Sequence, residues 1–337
     1  MPNIMLTYRC NLNCSYCFAN EFVNRENTDI SIDDFDKAVD FLTREGSTHI
    51  GLIGGEPTLH PKFKEILEKL ISNIKVSSVT IYTNGVLLDK YINQIVHPKF
   101  RLLVNCNSPE NVGDNNYRRI VENLDVYFKN YYMKDRINLG LNLYSENMNY
   151  NFMIELLERY DLHRVRISTT VPDFSQDKNV NAIEYFDKRK QHLLQFFREL
   201  DKHAILPYYD CNRPPFCIWT DNEKEWLVNF VKKYNVSESN LIGNNSKCYP
   251  VIDILPNLKA VRCFGMSDFC KVNISDFENL TDLASYFLNE VDADAFKISV
   301  HEKCRDCKER TTRKCMAGCL GFKTEQLKKS NLFCSNL

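Results

Sequence analysis

The stretch NIMLTYRCNLNCSYC, residues 3–17, joins two signals. Asn3 to Tyr8 is an apolar, β-prone run, and directly behind it Cys10, Cys14 and Cys17 follow a C-x3-C-x2-C spacing. Three thiols therefore share one short loop at the carboxyl end of a strand. Structural zinc wants four closed ligands, usually as two separated pairs, and no His or further Cys stands nearby to complete it. A two-thiol redox motif uses only Cys14 and Cys17 and leaves Cys10 without a role. Three thiolates on one loop suit an iron–sulfur cubane whose fourth iron stays free for an external ligand.

Outward from this stretch the strand signal recurs at residues 49–55, 78–83, 101–106, 137–144 and 164–169. Helical patterns lie between. In residues 31–46, Ser31 followed by Asp34 reads as a capping box, Phe35, Ala38, Val39 and Leu42 share one face, and Gly46 is placed to stop the helix. Residues 61–74 repeat the logic with Phe63, Ile66, Leu67, Leu70, Ile71 and Ile74, and similar stripes follow at 117–128, 150–160 and 186–200. Six strands alternating with helices, each apolar through its middle, predict an α/β fold with a parallel sheet covered by helices.

The rhythm breaks near residue 206. LPYYDCNRPPFCIWTD (206–221) carries prolines and cysteines, a helix is expected at 221–234, and ten cysteines fall between 211 and 334. A loop-rich stretch this short needs staples to be stable. The expected organisation is a barrel-like domain over 1–205, a bridging segment over 206–247 and a cysteine-rich domain over 248–337.

Composition narrows the function. The 337 residues, 44% hydrophobic, can bury a sizeable core. No apolar run approaches the roughly 18 to 20 residues that span a bilayer, and the N-terminus lacks a charged region followed by an apolar one, so a cytoplasmic protein with no membrane partner is expected. The net charge of −1 leaves no electrostatic footprint for nucleic acid. The one basic stretch, Lys297 to Lys314, is interleaved with cysteines and reads as compensation for thiolate charge. Fourteen cysteines without a secretion signal point to metal ligation rather than a disulfide framework. Cys106, alone on the fourth strand, reads as a small buried hydrophobe and His60 as a loop residue. Cys334-Ser-Asn-Leu337 only superficially matches a prenylation box, since Asn336 is not aliphatic.

The cysteine loop, with Tyr16 before its third cysteine, resembles the signature of the radical S-adenosylmethionine (SAM) enzymes. Gly54, Gly55, Glu56 and Pro57, after the second strand, resemble that family's motif for the amino group of SAM. Glycines admit close backbone approach, and carbonyls with the Glu56 carboxylate can accept from an ammonium group. The resemblance implies a partial (β/α)6 TIM-like barrel with its active site at the strand carboxyl ends, a [4Fe-4S] cluster and SAM. Thr83 and Asn84, in the TNG that closes the third strand, resemble a ribose-side element; Asn105 and Asn142 end the fourth and fifth strands and are further candidates to line the cofactor pocket. Many peptide-modifying relatives carry Ser-x-Asp-Gly after the fourth strand, where this chain has NCNSPEN (105–111).

The C-terminal cysteines resemble the SPASM extension of a subset of these enzymes. The order Cys248, Cys263, Cys304-x2-Cys307-x7-Cys315-x3-Cys319, Cys334 matches, with Leu258 where the pattern has glycine and a middle spacer two residues longer. Carried over, the family arrangement gives Cys304, Cys307, Cys315 and Cys334 to one auxiliary cluster. Cys248, Cys263 and Cys319 go to another, with Cys211, Cys217 or Cys270 as its fourth ligand and Cys217 preferred for its place on a proline-stiffened turn. A zinc ribbon is the rival reading of Cys304 to Cys319.

The resemblance implies reductive cleavage of SAM to methionine and a 5′-deoxyadenosyl radical that abstracts hydrogen from substrate. The lead expectation is a maturase of a ribosomal peptide or protein, making a crosslink or thioether, an epimer or an oxidised side chain. Runners-up are a dehydrogenase of a sugar or small-molecule natural product and a non-catalytic metal-binding module. An electron donor such as flavodoxin or ferredoxin is implied. Asp210, flanked by Tyr208 and Tyr209, is the candidate base. With its first cysteine at residue 10, the chain is expected to have no leader-recognition domain ahead of the barrel, so a peptide would need another docking surface or a partner protein.

Overall fold

The computed structural model describes residues 1–17, 23, 29–171, 180–234, 241, 248–266, 269–298 and 301–329, which leaves Cys334 outside the described residues. Two compact units divide the chain: Met1–Leu139 with Pro250–Leu288, and Gly140–Tyr249 with Asn289–Phe333.

In the first unit, β1 (Asn3–Met5), β2 (Thr48–Ile53), β3 (Val76–Thr83) and β4 (Phe100–Asn105) pair in parallel, with Ile4 opposite Leu52, Ile50 opposite Val79 and Ile81 opposite Leu102. These six side chains are wholly buried, as the apolar runs require. Helices Ile32–Leu42, Phe63–Ser72 and Asp114–Asp125 follow β1, β2 and β4. Ser31 caps the first through its hydroxyl, which accepts from the Asp34 N–H at 3.0 Å. The Asp34 carboxylate takes the Ser31 hydroxyl (2.9 Å) in place of the Ser31 N–H, so the expected capping box is one-sided. The helix already ends at Leu42, before Gly46. In the second helix Phe63, Ile66, Leu67 and Leu70 are buried, whereas Ile74 lies two residues past its end and is 92% exposed. Lys99 closes that helix, its ammonium donating to the carbonyls of Leu70, Ile71 and Asn73 at 2.6–3.0 Å.

The second unit carries β5 (Ile137–Leu143), β6 (Arg164–Thr169) and β7 (Leu206–Cys211), again parallel, with Leu141 opposite Ile167 and Val165 opposite Pro207. Helices Asn151–Arg159, Ala182–Lys202 and Asp221–Lys232 accompany them, the last with a reciprocal Thr220–Glu223 capping box. β7 is a seventh parallel strand where the sequence suggests the rhythm has stopped. A proline and a polar tail disguise it, and both are tolerated because β7 pairs only with β6.

The chain then returns to the first unit. β8 (Asp253–Ile254) lies parallel to β1, and β9 (Lys259–Val261) and β10 (Val272–Asn273) follow as antiparallel neighbours. The succession is that of an α/β partial (β/α)6 TIM-like barrel with a cysteine-rich C-terminal extension. Among the described residues no helix is long and apolar enough to cross a membrane.

Candidate cofactor and metal sites

β1 is shorter than its apolar run because the chain beyond Met5 is held by other means. Leu6 N–H still reaches the Ile53 carbonyl (2.9 Å), but Thr7 turns its hydroxyl to Asp29 (2.6 Å), and Arg9 pairs with the same carboxylate at 2.7 Å. The end of β2 then lies against this segment: Gly55 N–H donates to Thr7 O at 2.9 Å and Glu56 N–H to Arg9 O at 2.8 Å. A Cβ on Gly54 would stand 2.8 Å from Thr7 O, and one on Gly55 would run into the Arg9 carbonyl. The glycines are thus required for backbone to meet backbone at the mouth of the cysteine loop.

Glu56 is fully buried. Its Oε1 accepts from Thr58 Oγ1 (2.6 Å), Thr58 N–H (3.2 Å) and Thr83 Oγ1 (2.8 Å), and its Oε2 from Asn84 N–H (2.7 Å). Burial pushes its carboxyl upward while these donors oppose the shift. One carboxylate therefore braces the β2 end against the TNG turn of β3, and Oε2 keeps an acceptor position for a ligand. Asn84 continues the chain of contacts, donating to Asn11 Oδ1 in the cysteine loop at 2.8 Å.

Within that loop, Cys17 N–H closes a turn on Cys14 O (3.0 Å) and Leu12 N–H points at Cys10 Sγ (3.5 Å). All three thiols are half-buried. Burial pushes Cys10 up to about 12, with Glu56, Cys14 and Cys17 adding to it; burial and then Cys17 also raise Cys14, whose sulfur accepts a hydrogen bond from half-buried Tyr16. Crowded thiolates beside a buried carboxyl need a compensating cation, which iron supplies, so this donor set fits a cluster. Asn105 ends β4, half-buried, its carbonyl 3.4 Å from Asn107 Nδ2. Cys106 is buried, and both ring nitrogens of His60 are engaged, one with Ile30 O at 2.9 Å and the other accepting from Lys62 N–H of its own turn at 3.2 Å.

In the second unit Asn142 and Asp210 are joined through a residue that sequence reasoning missed. Arg166 donates to Asn142 Oδ1 at 2.9 Å and pairs with Asp210 at 2.8 Å, while Ser168 adds a hydrogen bond to Asn142 Oδ1 at 3.2 Å. The candidate base is therefore ion-paired. An arginine inside an apolar run was the available signal.

The C-terminal thiols of this unit fall into two neighbourhoods. Cys217, Cys304, Cys307 and Cys315 lie within electrostatic reach of one another: burial pushes Cys304 up to about 11, with Cys217, Cys315 and Cys307 contributing, and burial followed by Cys315 raises Cys217. Cys211 is hydrogen-bonded to Cys319, which holds its thiol well above the ordinary range. Arg213 lies near both Cys248 and Cys315. Two cations back the first neighbourhood: Arg310, from the basic stretch read as thiolate compensation, and Lys323, which lies outside it. Arg310 donates to Cys304 O (3.3 Å) and Phe296 O (2.8 Å), and wholly buried Lys323 donates to Ala295 O at 2.7 Å. In the first unit, half-buried Cys263 follows β9, its sulfur 4.0 Å from the Arg262 guanidinium, and Cys270 is disulfide-bonded. Among the described residues no three His, Cys, Asp or Glu side chains converge as a single ion requires. A cubane interposes its own iron and sulfide between its ligands, so its thiolates stand further apart.

Residues 4–157 match the Radical SAM superfamily model. Residues 4–157 thus carry a radical SAM domain. Enzymes with this domain use a [4Fe-4S] cluster and SAM. The chain shares 33% identity over 93 residues with a GTP 3',8-cyclase of Chlorobaculum tepidum, 28% of each chain. It shares 36% over 85 residues with the antilisterial bacteriocin subtilosin biosynthesis protein AlbA of Bacillus subtilis, 25% of this chain and 18% of that one. The match thus spans between about a fifth and a third of these curated relatives' length. Among solved structures, Streptococcus suis SuiB bound to SAM is similar over 99% of this chain and 76% of its own, with a TM-score of 0.62 at 14% identity. SuiB bound to its precursor peptide SuiA gives a TM-score of 0.60 at 15% identity, covering 99% and 75%.

Proposed function

We propose that this radical SAM enzyme removes hydrogen from a ribosomal peptide or protein and thereby installs a crosslink, a thioether, an epimerised centre or an oxidised side chain. The observation that carries the reading is the similarity of fold, over nearly the whole chain, to SuiB in complex with a precursor peptide. The partial identity with AlbA supports it.

Cys10, Cys14 and Cys17 hold the catalytic cluster, and Gly54, Gly55, Glu56 and Pro57 receive the amino group of SAM, with Thr83, Asn84, Asn105 and Asn142 as further contacts. When bound, cluster and cofactor supply a hydrogen-abstracting radical. The protein aims it and excludes water. Asp210 serves as base once substrate displaces Arg166. Cys248, Cys263, Cys304, Cys307, Cys315, Cys319 and Cys334 hold auxiliary clusters. By role the chain divides into a radical barrel at 1–205, a bridge at 206–247 and a cluster domain at 248–337, whereas its compact units follow packing. The enzyme works in the cytoplasm with flavodoxin or ferredoxin as reductant.

The test is incubation of anaerobically reconstituted enzyme with SAM, dithionite and each small peptide encoded beside its gene. Loss of hydrogen from one peptide, with 5′-deoxyadenosine formed in step, is the expected result. A second reading, action on a small molecule, is favoured by the partial identity with GTP 3',8-cyclases. It wins if nucleotides or sugars, and no peptide, stimulate 5′-deoxyadenosine formation.

A further inference from the structure

We infer that Arg166 on β6 is a specificity-determining residue that takes a carboxylate of the substrate in exchange for Asp210. The inference rests on the reading of the substrate as a peptide and narrows it to one with an acidic side chain or a free C-terminus at this site.

Strand alternation sets the residues out. On β6, Val165 and Ile167 are wholly buried, so Arg164, Arg166 and Ser168 share the opposite face. Asn142, between buried Leu141 and Leu143, stands beside Ser168 on that face, and Tyr208 stands beside Arg166. Asn142, Ser168 and Asp210 are each the last residue but one of their strands, at the carboxyl ends where barrels carry their active sites.

The guanidinium is held from two sides by partners of different kinds. Nη1 donates to Asn142 Oδ1 at 2.9 Å, and because Ser168 donates to the same oxygen the amide orientation is fixed. Nη2 pairs with Asp210 at 2.8 Å. Asp210 is the outer partner, its side chain 35% exposed against 12% for Arg166. It is also the extra residue where the β7 ladder shifts register between Ile167 and Ser168, so no ladder pairing holds it in place. A carboxylate arriving from solvent can therefore replace Asp210 on Nη2 while Asn142 keeps Nη1 aimed. This is the displacement that releases Asp210. Arg164, whose guanidinium lies 5.0 Å from the Tyr208 ring centre, adds a second cation to the face. Two guanidiniums against one carboxylate leave a single positive charge, which suits a singly charged carboxylate better than a phosphate dianion beside Asp210.

The test titrates the full chain, reconstituted anaerobically and loaded with SAM but given no reductant, with each small peptide encoded beside its gene. Each peptide is used unaltered, with its C-terminus amidated, and with every Asp and Glu replaced by Asn and Gln. Calorimetry should find one altered form at least about tenfold weaker than the unaltered peptide, which tells the side-chain carboxylate from the terminal one. Arg166→Gln should abolish that difference and Arg166→Lys should restore part of it. Asp210→Asn, which removes the competing carboxylate, should tighten the unaltered peptide by about threefold, an effect that a merely structural ion pair does not produce. Equal affinity of the three forms for wild type overturns the inference and leaves the peptide reading standing, as does a difference that survives Arg166→Gln or an Asp210→Asn variant that binds no tighter. Binding of no peptide at all removes the peptide reading and the inference with it. The carboxylate of SAM is the remaining source: with SAM and dithionite alone, 5′-deoxyadenosine formation should show the wild-type KM for SAM in Arg166→Gln, and a KM raised about tenfold would give Arg166 to the cofactor instead. Should Arg166→Gln fail to fold, Arg166→Lys and Asp210→Asn still decide.

Discussion

The Cys10–Cys17 loop and the Cys304–Cys319 segment both crowd thiols together, and they are held by different means. The first hangs from the sheet: the segment behind β1 is bonded to the β2 end through Thr7 and Arg9, and the β2 end to the β3 turn through Glu56. The second rests mostly on short-range turns, such as Cys304 N–H to His301 O and Cys315 N–H to Glu309 O, with left-handed residues at Arg313, Ala317 and Gly318. Among the described residues, Arg310 and Lys323 tie it to the carbonyls of Phe296 and Ala295, and Gly318 seats it against Ala182. The Cys10–Cys17 loop is thus held by folding itself, whereas the Cys304–Cys319 segment would gain more order from a metal on its thiols.

The sharpest break in this comparison is Cys14→Ala. Loss of one of three ligands should lower 5′-deoxyadenosine formation by at least about 10³-fold, while metal-free unfolding changes by no more than about 1 kcal/mol, because the loop's anchors lie outside it. Quantified 5′-deoxyadenosine and urea denaturation check the two halves. An unfolded variant would mean that the loop is no preformed socket.

Next in size is Glu56→Ala, which strands the donors of Thr58, Thr83 and Asn84 in a buried position. It should cost about 3 kcal/mol in denaturant unfolding and weaken SAM binding measured by calorimetry. Conservative Glu56→Gln, which keeps the acceptor Oε1, should recover most of the stability and less of the binding.

Removal of iron should then separate the two regions. After chelation, amides around Cys304–Cys319 should exchange at least about tenfold faster by hydrogen exchange with mass spectrometry, while β1 to β4 keep their protection. Equal loss in both regions would show that the catalytic loop depends on its metal as much as the C-terminal thiols do.

How far sequence reached follows the same division. β1 to β6 and their helices were legible because burial on both faces writes continuous apolar runs, and the cysteine and glycine motifs marked the carboxyl ends of β1 and β2. β7 was hidden because an edge strand tolerates Pro207 and polar Asp210. Arg166 went unnoticed because a charged residue in a strand reads as solvent-facing, whereas here it links Asn142 to Asp210. Ile74 extended its stripe by periodicity alone, after Ser72 had already ended the helix.

The smallest effect tests whether the scaffold under the catalytic loop carries a cost of its own. Asp253 on β8 is wholly enclosed and accepts from Asn3 Nδ2 at 2.6 Å, while Asn3 Oδ1 has no partner. Burial pushes the Asp253 carboxyl up to about 6, against 3.8 for an ordinary aspartate. A raised folded value means that the folded state holds the proton more tightly than the unfolded chain. Below the unfolded value both states are protonated. As pH climbs from about 4 to about 6 the unfolded chain ionises first and stability is lost, and above that window the loss is complete. A carboxamide in place of this carboxyl cannot ionise, and it offers the donor that Asn3 Oδ1 lacks. Asp253→Asn should therefore be the more stable protein at neutral pH, and its advantage over wild type should shrink by about 1 kcal/mol between about pH 7.5 and about pH 5 in parallel thermal melts. An advantage that does not change with pH would mean that Asp253 keeps its charge in both states, and that the brace under β1 is an ionised one.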